Sequence, residues 1–155
     1  MLLTRKTDYA LVALAGLARS GDDAASARDL AYQYNLPLPV LRNILKVLAT
    51  HGLLTSSRGP TGGYRLARLP REISLAEIVT AIEGPMQLVT CCPTGSDAMD
   101  HACQLEDSCL IKLNVGRVHD RLIGFLHEVT LDQIAPDAAV ATGTVAVLRS
   151  EPATR

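Results

Sequence analysis

Residues 26–67 read SARDLAYQYNLPLPVLRNILKVLATHGLLTSSRGPTGGYRLA, and their sequence of caps, apolar steps and turns decides the fold. Ser26 can cap a short helix, with Asp29 three residues on as a weak capping-box partner, and that helix is spent by Asn35. Pro37 and Pro39 are excluded from a helix interior but suit a first turn. From Val40 onward, Leu41, Ile44, Leu45, Val47 and Leu48 recur at helical spacing and mark one buried face, which Gly52 ends. The opposite face carries Arg42, Asn43 and Lys46, which a core does not need. Leu53 to Ser56 then reads as a strand, Arg58 to Gly63 as a turn-rich tip, and Tyr64 to Ala67 as the returning strand of a hairpin. Two short helices, a tight turn and a hairpin make a winged helix-turn-helix.

The flanking sequence extends this unit. Thr4 to Ser20 is helical and ends at Gly21, while Ser74 and Glu77 form a capping box for a helix through about Ile82, stopped by Gly84-Pro85. Met86 to Ser108, with Pro93, Gly95, Ser96 and several acids, reads as a loop whose order must come from a ligand or partner. A long helix is expected from about Leu110 to Val129, where Ile111, Val115, Val118, Leu122, Phe125 and Val129 form a heptad seam. Twenty residues span about 30 Å, and a stripe of that length needs a cover. The cover is either intramolecular core or a second copy of the chain; the second gives a DNA reader two-fold symmetry.

The expected fold class is therefore mostly α with a small β-hairpin wing (α+β), a winged helix-turn-helix plus a long dimerisation helix. The division is residues 1–71 for DNA binding, 72–109 for a short helix and cysteine-rich loop, 110–134 for the long helix, and 135–155 as a disordered tail.

Charge follows the same division. The 155-residue chain has a net charge of −1, but residues 1–71 carry ten basic and four acidic side chains and residues 72–155 carry five and twelve, balances of +6 and −7. Such asymmetry points to an acidic partner for the amino-terminal half. Four Tyr and one Phe are too few for a single-strand stacking platform, which leaves duplex DNA. Arg5 and Lys6 before the apolar run Ala10 to Ala18 superficially resemble a secretory leader, yet Asp8 and Tyr9 fit an amphipathic helix better. No stretch reaches the roughly 20 apolar residues of a membrane span, so a cytoplasmic protein with no membrane partner is expected.

A recognition helix presents donors and acceptors to base edges from its N-terminal turns. Arg42 can bind guanine and Asn43 adenine through two hydrogen bonds each, and Lys46, one turn on, suits phosphate. Arg58, beside Gly59, fits a wing tip in the minor groove, and Arg28 suits a phosphate clamp. Any one of these is as readily an ordinary solvated charge; their convergence on one pole carries the reading.

Cys91, Cys92, Cys103 and Cys109 fall in a 19-residue window, with the last three spaced C-x10-C-x5-C. Thiolates so clustered ahead of a long helix suit zinc or an iron–sulfur cluster rather than a disulfide framework. The absence of paired C-x2-C motifs tilts the choice toward iron, and a metal-free thiol switch at Cys91 and Cys92 is the rival. No acid–base pair or activated nucleophile stands outside the cysteines, so no enzyme is expected. His51, His101, His119 and His127 are scattered, the last two on the long helix and expected to face solvent.

Leu3-Thr4 with Thr7-Asp8-Tyr9-Ala10, Leu36-Pro37-Leu38-Pro39, the wing Arg58 to Ala67, and Ile78 to Pro85 followed by spaced cysteines together resemble the IscR/NsrR (Rrf-two) family of bacterial transcription regulators over about residues 1–135. Leu-Pro-Leu-Pro, Glu83-Gly84-Pro85 and Val129-Thr130-Leu131 are most similar to the regulators of SUF-type iron–sulfur assembly genes. The resemblance implies a homodimeric repressor crossed through its long helices, a double-stranded DNA operator, and an iron–sulfur cluster, 2Fe–2S ahead of 4Fe–4S. It implies Cys92, Cys103 and Cys109 as ligands, with a first gap longer than the family's. Lys112 stands where cluster-assembly regulators have a ligating His, and Asp8 matches the first-helix Asp that nitric-oxide-sensing relatives supply from the other protomer. Asp8, Cys91 and His101 are thus the alternatives for a fourth ligand.

Overall fold

The computed structural model describes residues 3–59, 62–87 and 109–135. The elements run α1 (Arg5–Arg19), α2 (Ala27–Gln33), α3 (Leu38–Thr50), β1 (Leu54–Ser57), β2 (Gly63–Leu66), a 3-10 turn (Pro70–Glu72), α4 (Leu75–Glu83), α5 (Lys112–Glu128) and α6 (Leu131–Ile134). Local chemistry sets most of these boundaries. The Thr4 hydroxyl accepts from the Lys6 N–H at the start of α1, and the Ser26 hydroxyl from the Asp29 N–H at the start of α2. Ser74 and Glu77 form the expected reciprocal capping box on α4.

The core is built almost wholly from aliphatic side chains. Leu14 and Leu17 of α1, Leu30 of α2, and Leu41, Leu45 and Leu48 of α3 are fully buried together with Leu53, Ile73, Ile78 and Leu131. Each such side chain contributes roughly 1.5–3 kcal/mol by leaving water. This packing runs across residue 71: Ile73, Ile78 and Ala81 join the same cluster as α1 to α3, and so do Leu131 and Ala135. The head is therefore more than its first 71 residues.

The wing is a two-stranded antiparallel sheet in which Leu54 pairs with Leu66 and Ser57 with Gly63. Ala25 adds a bridge to its other edge, exchanging N–H···O bonds of 3.0 and 2.9 Å with Tyr64. Gly63 is required by that approach, since a Cβ there would lie 2.6 Å from the Ala25 carbonyl oxygen.

The long helix has two unlike faces. Ile123 and Leu126 pack on Ala76, Val79 and Met86, whereas Ile111, Val118 and Phe125 of the expected seam are 57, 60 and 58% exposed. Val115, Leu122 and Val129 of that seam are half-buried.

Several expectations need correction. Val47, placed on the buried face of α3, is exposed, because the core reaches only the Leu41, Ile44, Leu45 and Leu48 stripe. The long helix starts at Lys112 and stops at Glu128, where a second short helix, α6, follows. Ala135, assigned to the tail, is buried; residues 136–155 lie outside the described residues. His119, expected in solvent, is 4% exposed, and neither ring nitrogen has a hydrogen-bond partner among the described residues. Its spacing from Ile123 and Leu126 puts it on the face of α5 that rests on α4.

Candidate nucleic-acid interface

Burial of one stripe of α3 leaves Arg42, Asn43 and Lys46 exposed on the other. Pro37 caps the helix without a side-chain hydrogen bond, and Pro39 follows in the first turn, where its missing N–H removes no helical bond. Asn35, at a φ of 52°, makes the tight connection between α2 and α3.

Arg28 of α2, Arg42 of α3 and Gly62 of the wing line one open groove of about 740 Å³, with Asp23, Ser26 and Asp29 on its rim. Three separate elements thus meet at one surface. The Ser26 hydroxyl donates to Asp29 at 2.7 Å, which occupies one of the two rim carboxylates. Arg28, Arg42, Lys46 and Arg58 are exposed, and none is held in an ion pair among the described residues. Such cations are available to phosphate. Arg58 opens the wing tip and is followed by Gly59 at a φ of 119°, a backbone conformation that favours glycine. Residues 60 and 61 of the tip lie outside the described residues.

Three exposed side chains on α2 and at the start of α3 have no binding role in the sequence reading. Tyr32, one turn beyond Arg28 on α2, is 91% exposed. Its signal was its place outside the apolar stripe of Leu30, Ala31 and Tyr34. Pro37 and Pro39 are the other two, read for their backbone role and for the family resemblance.

Away from the residues that line the groove, α1 is tied to the end of α4. The Glu83 carboxylate accepts from the Thr4 N–H, the Thr4 hydroxyl and the Thr7 hydroxyl. Those hydroxyl bonds from Thr4 and Thr7 hold its carboxyl below the usual range. Glu77 is also lowered: partial burial pushes it up, but hydrogen bonds from Ser74 and Arg68 outweigh that, with Arg68 at 2.7 Å. Asp8 is exposed in the first turn of α1, beside the Thr7–Glu83 bond.

At the far end, Cys109 carries a free, half-buried thiol three residues before α5. Cys91, Cys92, Cys103 and His101 lie outside the described residues. Among the described residues no three ligating side chains converge; of the expected ligands, Cys109 and Asp8 fall among them, a thiol and a carboxylate of the kinds that hold iron.

A helix with an exposed, unpaired basic face, a glycine-bearing hairpin and an exposed arginine on the preceding helix make the outline of a winged helix-turn-helix. The comparisons with known proteins agree. Residues 3–137 match the Rrf2 family, described as an iron-dependent transcriptional regulator, and the chain belongs to that family. It is 29% identical over 141 residues to the HTH-type transcriptional regulator IscR of Cronobacter sakazakii, covering 90% of this chain and 83% of that one. Among solved structures it is similar to T. potens IscR (TM-score 0.63, 26% identity, 86% of this chain and 85% of that one). It is also similar to CymR (YrzC), the global cysteine regulator of B. subtilis (TM-score 0.64, 25% identity, 87% and 96%). The chain is a DNA-binding transcriptional regulator and not an enzyme. No helix among the described residues is long and apolar enough to cross a membrane.

Proposed function

We propose that the chain is a cytoplasmic, homodimeric repressor that reads a palindromic operator and senses redox state, iron supply or nitric oxide through an iron–sulfur cluster. Iron–sulfur assembly or stress genes are its targets. Arg42 and Asn43 read base edges, Lys46 and Arg28 hold phosphates, and Arg58 with Gly59 enters the minor groove. The exposed apolar side of α5 meets the same side of a second copy, because Val118 and Phe125 in water cost what their burial would return.

Cys92, Cys103 and Cys109 hold the cluster, in 2Fe–2S rather than 4Fe–4S form, with Asp8 of the partner subunit or Cys91 as fourth ligand. A bound cluster supplies a group whose charge and stability change with oxidants, nitric oxide and iron shortage. The observation that carries this reading is the free Cys109 thiol at the head of α5, the helix that links the sensor segment to both the head and the exposed apolar face.

Anaerobic purification and reconstitution, followed by absorption and Mössbauer spectroscopy and by operator binding of the holo and apo forms, tests it. A coloured holoprotein whose operator affinity differs from that of the apoprotein is expected. A colourless protein with stoichiometric zinc overturns the iron reading. The similarity to CymR favours, as second reading, a metal-free thiol switch at Cys91 and Cys92.

A further inference from the structure

From Leu36 to Leu41 the chain carries six consecutive apolar side chains, and Pro37 and Pro39 among them are exposed. These residues form the start of α3, the part of a recognition helix that stands against base edges. Polar side chains begin only one turn later, at Arg42 and Asn43. Backbone donors are depleted as well. Proline has no N–H, and the Leu41 N–H is spent on the Pro37 carbonyl at 2.9 Å, so the first turn keeps free N–H groups only at Leu38 and Val40.

A first turn built this way has no side-chain hydrogen bond to offer a base. Its direct contacts are apolar, and the one apolar group on the base edges of the major groove is the C5-methyl of thymine. The proline rings suit that contact: they have no rotamer entropy to lose, and their φ is already set for the helix.

We propose that Pro37 and Pro39 are specificity residues that read thymine methyl groups by van der Waals contact. Each operator half-site then carries thymine at a fixed step from the base pairs met by Arg42 and Asn43. This rests on the reading of α3 as the recognition helix.

The test uses a duplex selected from a random pool by the full-length protein, remade with each thymidine replaced singly by deoxyuridine, which lacks only the methyl. Binding about fourfold weaker is expected at one or two positions per half-site, the scale of one buried methyl group. In Pro37→Ser, where serine is itself a good cap, or in Pro39→Ser, within the first turn, that penalty disappears at the matching position. Deoxyuridine that is neutral at every position overturns the proposal. So does a penalty of equal size in both serine variants, since it then belongs to DNA shape. If no duplex is selected, or Arg42→Ala leaves the selected preference intact, the recognition-helix reading itself fails and takes this inference with it.

Discussion

Glu83, the last residue of α4, holds Thr4, the cap of α1, twice: its Oε1 accepts from the Thr4 N–H at 3.0 Å and from the Thr4 hydroxyl at 2.7 Å. Thr7 donates to the same oxygen from the next turn. One carboxylate therefore joins the start of the first helix to the residue that precedes the cysteine segment.

That bond makes stability depend on pH in a defined direction. The folded-state pKa of Glu83 is lowered, so its contribution is present above the unfolded value of about 4.3 and is lost as pH falls through the lower folded value. Urea midpoints of the wild type should drop between pH 6 and pH 3. Glu83→Gln, which keeps an acceptor oxygen but cannot titrate, should show a smaller drop over the same window. An equal drop in both proteins would assign the acid sensitivity to other carboxylates, Glu77 first among them.

Two arginines of the proposed reading surface should fail differently. Arg58→Ala should weaken binding to all sequences and flatten the salt dependence, whereas Arg42→Ala should relax preference at one base pair, by about 1–3 kcal/mol. Mobility-shift titrations at two salt concentrations separate the two patterns. Unchanged affinity in both variants removes them from the interface.

The proposed dimer rests on the outer face of α5. Phe125 is 58% exposed in the single chain, so Phe125→Asp leaves the head intact while placing charge on the seam. Sedimentation should give a dimer for the wild type and a monomer for the variant, with operator affinity falling as two half-sites become independent. A dimer in both would place the interface elsewhere.

Gly63→Ala should destabilise the fold by about 1–3 kcal/mol, because the added Cβ meets backbone rather than a movable side chain. Thr55→Ala, on an exposed position of β1, should stay within about 0.5 kcal/mol. Thermal or urea unfolding of the pair measures the difference.

What could be read from the sequence was local. Ser26, Ser74 and Gly52 mark helix ends through their own hydrogen bonds or backbone angles, and the structure has them in those roles. The polar face of α3 was legible because its complement, the Leu41 to Leu48 stripe, has a helical period. Features that depend on a neighbour were not. His119 is buried by what α4 lays over α5, and α6 is too short to show a period at all. Tyr32 belongs to no local motif; only its exposure singles it out. Of the cysteine set, Cys109 alone falls among the described residues.

The two ends of α5 are mechanically unequal. At its carboxyl end the chain is stapled to the head: the Leu131 N–H donates to the Ile73 carbonyl, the Leu75 N–H donates to the Val129 carbonyl, both at 2.8 Å, and Leu131 is completely buried. Its amino end carries Cys109. Seventeen helical residues make a rod of about 25 Å. A displacement imposed at the cysteine end would reach the head through this attachment, and two such rods laid side by side would set the angle between two DNA-reading heads.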